Sequence, residues 1–374
     1  MRQILREQVT TYADGHVERW VWAGSAVVAV SFAAVSGIVA HRAWGMVAGA
    51  GYAAAAYLAS GDRTRRAARV VALLGAVVVP LVGLVSAGLG QSEVAVVERS
   101  GHLLLTTGSP YVTAPKAVAD FNPYLPGTAL FGVLPGDARW WLGGAFVAAL
   151  ATAGLCRARL LACPLVALPL AVSGVDLPVV ALMCLGLTLA GQGRAGRAGL
   201  ALGAAAALKW TAWPALPVVL VLTAVRRGGR PALRCAAVSL STVTAVVLPF
   251  VLIDPSGFCR NVVAFPFGFT AVSSPAASPL PGHLLATHVP GGTVIALALL
   301  SVGALLIALS LAVRPPATVR AAAGRLAFGL GLATALMPAS RFGYLVFPLV
   351  LGALAHRAAG RGATVTTSPA KAPA

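Results

Sequence analysis

Apolar runs of about 20 residues, long enough to carry an α-helix across a hydrocarbon layer about 30 Å thick, recur from Val21 into the last quarter of the sequence. A chain so patterned has lipid as its main solvent. In lipid a backbone must satisfy its own N–H and C=O groups, so the runs are expected to be helices. Of the 374 residues 58% are hydrophobic and 10% charged, with a mean hydropathy of +0.86; a soluble domain carries roughly 25% charged residues. A water-soluble enzyme and a disordered chain are both excluded. The expected fold class is all-α, a polytopic transmembrane protein of about twelve passes, within a range of about 10 to 13.

The first apolar run, Val21 to Ala40, is too long for a cleaved signal peptide and reads as a retained span. Others follow near residues 44–60, 70–90, 139–156, 160–174, 177–190, 198–208, 211–225, 235–253, 292–313, 326–338 and 343–356. Several are too short for a straight crossing at about 1.5 Å per residue. They read as helices that break partway, which lipid tolerates only where they line a protein cavity.

The net charge of +18 would ordinarily suggest a nucleic acid or an anionic surface as partner. Placement decides otherwise. With the N-terminus inside, alternating loops put 21 of the 28 basic residues on the cytoplasmic side, as the positive-inside rule demands. That alternation requires residues 198–225 and 326–356 to be two short passes each. The charge is therefore an orientation signal with anionic membrane lipid as its partner, and nucleic acid is not expected. The expected location is the cell membrane, with both termini cytoplasmic. Six of the ten acids, Glu93, Glu98, Asp120, Asp137, Asp176 and Asp254, fall on the outer side, so an active site is expected to be extracytoplasmic.

Two outer loops stand out by length, 91–138 and 254–290; long loops in a compact protein usually carry function. The apolar periodicity from Val94 to Leu105 suits a short helix on the membrane surface. The expected organisation is a cytoplasmic N-terminus with two spans over 1–69, a catalytic membrane domain over 70–356, and a disordered cytoplasmic tail over 357–374.

Most familiar motifs fail. Gly191, Gly193 and Gly196 satisfy G-x-G-x-x-G, yet a span precedes them and no acid follows until Asp254, so a tight inner turn is the better reading. The five cysteines show no C-x-x-C and read as small packing residues. His283 and His288 lie five apart, off a shared helical face, and read as solvated loop residues. No hydrolase elbow, Walker A sequence or D-x-D occurs, which disfavours hydrolase, ATPase and metal-chelated nucleotide-sugar chemistry. No cofactor or metal is implied, although the need for a divalent ion stays open.

What survives is a set of costly residues at the outer membrane edge, where ionisable groups mark a site by default. Glu93 and Glu98 follow the third span; Asp176 separates two apolar stretches in VSGVDLPVV; Lys209 interrupts AALKWTAWPALP; Arg341 interrupts LMPASRFGYLVFP; Arg260 lies near Asp254 and FPFGF. Snorkelling or helix capping competes with function at each. A carboxylate can accept the proton of an acceptor hydroxyl, while Lys and Arg neutralise a departing lipid phosphate. Such a reaction needs no nucleotide.

The stretches EVAVVERSGHLLLTTGSPY (Glu93–Tyr111), FNPYLPGTALFG (Phe121–Gly132), DLPVVALMCLGLTLA from Asp176, AAALKWTAWPALPVVL (Ala205–Leu220) and PASRFGYLVFPLVLGAL (Pro338–Leu354) together resemble the actinobacterial glycosyltransferase family 87 membrane proteins. These are similar to polyprenol-phosphate-mannose-dependent α-mannosyltransferases of the GT-C fold. The resemblance covers roughly residues 70–356 and leaves the first two spans additional. It implies a hexosyltransferase that moves a sugar, typically mannose, from a polyprenyl-phosphate donor to a glycolipid or glycan acceptor of the cell envelope. It also implies Glu93 as base, at a position where the family more often has Asp, with Glu98 as second choice. Lys209 and Arg341 become phosphate ligands, with Asn122 and Tyr124 as hydrogen-bonding partners of sugar or acceptor; Asp176 and Arg260 complete the substrate-binding set. The rival class is a transporter or flippase of a polyprenyl-linked or amphipathic substrate. That class more often places acids deep in its spans, and none occurs there in this chain. A third reading, a catalytically silent scaffold for envelope assembly, would tolerate loss of Glu93.

Overall fold

The computed structural model describes residues 2–365 apart from 267 and 273. The described chain is helical throughout, with one isolated β-bridge, Ala277 to Ser340, as its only extended pairing. In order the principal helices are α1 (Arg2–Val35), α2 (Val39–Leu58), α3 (Arg65–Ser86), α4 (Ser92–Thr107), α5 (Ala138–Ala153), α6 (Pro164–Val172), α7 (Asp176–Gly191), α8 (Ala195–Leu208), α9 (Ala215–Arg227), α10 (Gly229–Ile253), α11 (Gly292–Val313), α12 (Val319–Leu336) and α13 (Val346–Val365).

Among the described residues five helices are long and apolar enough to cross a membrane: α3, α10, α11, α12, and the stretch Phe342–Ala359 that opens α13. The count of about twelve passes is not confirmed. The shortfall has a physical reason: α6 has nine residues, about 14 Å at 1.5 Å per residue, and α7 and α8 are apolar but only 16 and 14 residues long. The expected helix over Val94–Leu105 is α4. Residues 357–365, expected to belong to a disordered tail, continue α13, and residues 366–374 lie outside the described residues.

The chain forms two compact units. The first comprises Met1–Ala95, Pro135–Gly143 and Cys156–Leu177; the second comprises Val96–Leu134, Gly144–Leu155 and the residues from Pro178 onward. In the first unit α1 and α2, read from the sequence as extra spans, pack with α3. Gly51 of α2 and Gly75 of α3 meet so closely that a Cβ on either would lie within 2.7 Å of the other's backbone. A π-turn over Leu74–Val78 interrupts α3 just before Pro80. Proline has no N–H for the carbonyl four residues back, and the freed Ala76 carbonyl accepts a bond from the buried Trp44 indole at 2.8 Å. Tyr52 stacks on Trp22 and donates its hydroxyl to the Ala162 carbonyl.

Charges inside the first unit are matched. Glu18, 3% exposed, takes both Arg69 (2.8 Å) and Arg159. Arg139, 2% exposed, holds Asp137 at 2.6 Å and donates to the carbonyls of Leu89 (2.7 Å) and Ala171 (3.0 Å).

In the second unit α8 packs against α10 through Gly199 and Gly203. A Cβ at Gly199 would come within 2.5 Å of the Cys235 carbonyl and one at Gly203 within 2.7 Å of the Ser239 carbonyl. Small residues spaced by four let helix backbones approach in this way. Ser239 closes the contact by donating to the Gly199 carbonyl at 3.0 Å.

Candidate functional site

The interruption expected at Lys209 is real and its cause is visible. α8 ends at Leu208, and Lys209 adopts extended geometry (φ −158°, ψ 146°) before the 3-10 turn Trp210–Ala212. A helix that stops leaves carbonyls unpaired. The Leu208 carbonyl accepts from the backbone N–H of Leu125 (3.1 Å) and the Thr128 hydroxyl (2.9 Å), both from the first long loop. Gly127 makes this possible, since a Cβ there would sit 2.8 Å from the Ala207 carbonyl.

That docking puts Tyr124 beside the break. The Lys209 ammonium lies 5.4 Å from the centre of the Tyr124 ring and 4.6 Å from that of Tyr344, within the range of a cation–π attraction. Three segments nominated separately from the sequence thus converge in the second unit: the FNPY loop, the Lys209 break and the turn after Arg341.

Arg341 occupies a matching break. α12 ends at Leu336, Arg341 is extended (φ −128°, ψ 143°), and the 3-10 turn Phe342–Leu345 leads into α13. The strap before it is anchored from the second long loop. Ser278 donates its N–H to the Ser340 carbonyl at 2.9 Å, and its hydroxyl accepts the Phe342 N–H at 3.0 Å. The short helix Pro281–His288 abuts the end of α12 at Gly282, where a Cβ would be 2.1 Å from the Leu336 carbonyl. His283, read from the sequence as solvated, is instead bonded through Nδ1 to the Pro338 carbonyl at 2.9 Å. It steadies the strap that carries Arg341.

The two long loops also bind each other, which the sequence reading missed. Asn261 is fully buried, accepts the Asn122 N–H at 2.8 Å, and donates to the carbonyls of Val112 (3.0 Å) and Gly257 (2.9 Å). Phe121 stacks on Phe265 with centroids 4.2 Å apart, and Tyr111, Leu125 and Val262 form a small core with Phe250 and Phe258. The signal was faint: one amide in CRNVVAFPF, among aromatics that could equally have faced lipid.

This clasp changes the account of several candidates. Asn122 is 2% exposed; its side-chain oxygen accepts the Tyr124 N–H at 3.0 Å and its amide donates to the Pro110 carbonyl at 3.4 Å. Its bonding capacity goes into the loop instead of outward. Asp254 caps the turn Pro255–Phe258 by accepting from Gly257 N–H and also takes the Thr113 hydroxyl at 3.0 Å. Burial alone would raise its pKa, yet these bonds and the nearby Arg260 hold the carboxyl below its usual range. Arg260 is exposed and donates to the Thr113 carbonyl at 3.2 Å, a structural contact in the same clasp.

The acids divide between the units. Glu93, half-buried in the first turn of α4, and Asp176, half-buried at the start of α7, belong to the first unit. Glu98, half-buried further along α4, belongs to the second, together with Asn122, Tyr124, Lys209, Arg260 and Arg341. The Glu98 portion of α4 lies close against Gly132, whose Cβ would be 2.0 Å from the Val97 carbonyl and 3.1 Å from the Glu98 Cα. Next to it Arg99 donates to the carbonyls of Ala119 and Phe121, which fixes the first loop to the helix. Among the described residues no group of three or more His, Cys, Asp or Glu is gathered as a metal site would require.

Compared with family models, with curated proteins and with solved structures, the chain matches none.

Proposed function

We propose that the protein is an integral-membrane glycosyltransferase that moves a hexose, in the first instance mannose, from a polyprenyl-phosphate donor to a glycolipid or glycan acceptor on the extracytoplasmic face of the cell membrane. The observation that carries this reading is the Lys209 ammonium held between the Tyr124 and Tyr344 rings at a helix break. Two aromatic faces help to fix the cation at the break. A positioned cation of this kind can stabilise the charge that develops on a departing phosphate. Arg341, three residues before Tyr344 at the parallel break, is the second phosphate ligand in this reading. The sequence resemblance to glycosyltransferase family 87, whose quoted stretches contain both breaks, supplies the donor class.

The base is a carboxylate of α4. Glu93 takes that role by the resemblance; Glu98 is the alternative and shares a compact unit with Lys209. Either would accept the proton of the acceptor hydroxyl as oxygen attacks the sugar's anomeric carbon and the bond to the lipid phosphate breaks, with inversion at that carbon. Tyr344, half-buried beside the cation, offers a flat face of the kind against which a sugar or isoprenoid chain packs, while Tyr124 is buried. The test is transfer of radiolabelled mannose from synthetic polyprenyl-phosphate-mannose to endogenous glycolipid, in membranes holding equal amounts of wild type, Glu93→Gln or Glu98→Gln. Transfer lost in one of the two identifies the base. Transfer retained in both removes the α4 carboxylates from the chemistry, and absence of transfer in the wild type with this donor contradicts the donor assignment.

A further inference from the structure

The turn that imitates a dinucleotide fingerprint has no strand before it, and what surrounds it is a basin of arginines. Gly193, at φ +80°, makes the bend between α7 and α8. Beside it Arg194, Arg197, Arg230 and Arg234 line an open basin of about 630 Å³ together with Gly196. Arg194 caps the start of α8, Arg197 lies in its first turn, Arg230 and Arg234 belong to α10, and all four are exposed. They are gathered because α8 and α10 approach to backbone contact at Gly199 and Gly203, which brings the first turns of both helices together. The glycines of the turn matter for the same reason. A Cβ at Gly196 would stand 3.2 Å from Arg234 Nε, and one at Gly193 about 3 Å from the Arg227 guanidinium, so the guanidinium groups lie directly on backbone.

This arrangement is electrostatically unfavourable by itself. Four like charges share one concavity, and they sit at the N-termini of α8 and α10, the positive ends of the helix dipoles. Among the described residues none of the four forms an ion pair with a carboxylate. The depth of the basin adds a constraint. α10 is one of the five helices able to cross a membrane, and only 6% of its apolar window is buried within the protein. Arg230 and Arg234, in its first two turns, therefore stand at the level where a span meets lipid headgroups.

We infer that the Arg194, Arg197, Arg230 and Arg234 basin is a binding site for a phosphate-bearing anion, with the headgroup of an acidic membrane lipid as its resident ligand. Guanidinium groups bind phosphate oxygens in a planar, two-pronged manner, and two pairs from facing helices suit a headgroup with one or two phosphates. The chemistry is shared with free pyrophosphate, and the experiment separates the two sources. The site is independent of the Lys209 break and stands whether or not sugar transfer is the activity.

The full-length protein, purified in neutral detergent, is titrated with cardiolipin, phosphatidylglycerol or phosphatidylcholine and the bound lipid counted by native mass spectrometry. Sodium pyrophosphate is titrated in parallel by calorimetry. The variants are Arg230→Gln/Arg234→Gln, Arg194→Gln/Arg197→Gln from the opposite helix, and a charge-matched control, Arg63→Gln/Arg66→Gln. At about fivefold per arginine near a headgroup, each basin pair is expected to weaken acidic-lipid binding by about 30-fold while the control pair leaves it unchanged. Phosphatidylcholine is expected to bind weakly to all. Pyrophosphate binding that falls with the same two pairs would widen the ligand class to free anions; lipid binding alone would confine it to headgroups. Equal loss in the control pair, or acidic-lipid binding unaltered in both basin pairs, overturns the proposal.

Discussion

Arg139 and Lys209 stand at the ends of apolar helices, in the first and the second unit, and the protein uses them in opposite ways. Arg139 follows Asp137 by two residues, and its guanidinium takes both oxygens of that carboxylate as well as the Leu89 and Ala171 carbonyls. It is a clasp that ties three chain segments together. Lys209 is half-buried and lies against the faces of two tyrosines at a point where the helix has stopped. Arg139 spends its planar fork on fixed acceptors within its own unit, whereas Lys209 has a compact ammonium with three rotatable donors and sits on aromatic faces beside a break in the helix.

The comparison breaks first at Arg139. Arg139→Leu leaves the half-buried Asp137 without its cation and frees two carbonyls, so a stability loss of about 3 kcal/mol is expected. Thermal unfolding in detergent checks this, and a melting temperature equal to wild type would show that the clasp is dispensable. Lys209→Met should do the reverse, lowering sugar transfer by on the order of 10²-fold while the melting temperature hardly moves.

Asn261 tests whether the loops that frame Lys209 depend on their clasp. Asn261→Leu strands the Asn122 N–H and the carbonyls of Val112 and Gly257, at a cost of about 1–3 kcal/mol. Both the melting temperature and transfer should fall together, unlike the separate outcomes at Arg139 and Lys209. Proteolysis between residues 108 and 128 should quicken in the same variant.

The smallest effect is one of pH in the first unit. Burial would raise the Glu18 pKa, but its bonds to Arg69 and Arg159 outweigh that and bring it from 4.5 to about 2. A carboxylate with a depressed folded pKa contributes stability that is fully present above its ordinary value and is lost as pH falls through the folded one. Wild type should therefore be indifferent to pH between about 6 and 8 and lose stability from about pH 5 toward 2. Glu18→Gln should flatten the part of that acid slope contributed by this carboxyl, read as melting temperature against pH.

The sequence was legible where a cost was visible in one dimension. A lysine and an arginine inside apolar runs beside proline and aromatics located both helix breaks at Lys209 and Arg341, and the period of Val94–Leu105 located α4. Span counting was less legible, because alanine- and glycine-rich helices such as α8 owe their burial to close packing rather than to a high hydropathy. Long-range polar pairing was not legible at all. Nothing local distinguishes Asn261, which holds the loops, from an amide facing solvent, and nothing in GQGRAGRAG shows that Arg230 and Arg234 come from the first turns of another helix to face it.

The most direct test of the account is sugar transfer from polyprenyl-phosphate-mannose in proteoliposomes containing equal amounts of folded wild type, Lys209→Met or Lys209→Arg. The account predicts transfer by the wild type, a loss on the order of 10²-fold in Lys209→Met, partial recovery in Lys209→Arg, and one melting temperature for all three. Transfer by Lys209→Met at the wild-type rate would contradict it, because the departing phosphate would then be stabilised elsewhere.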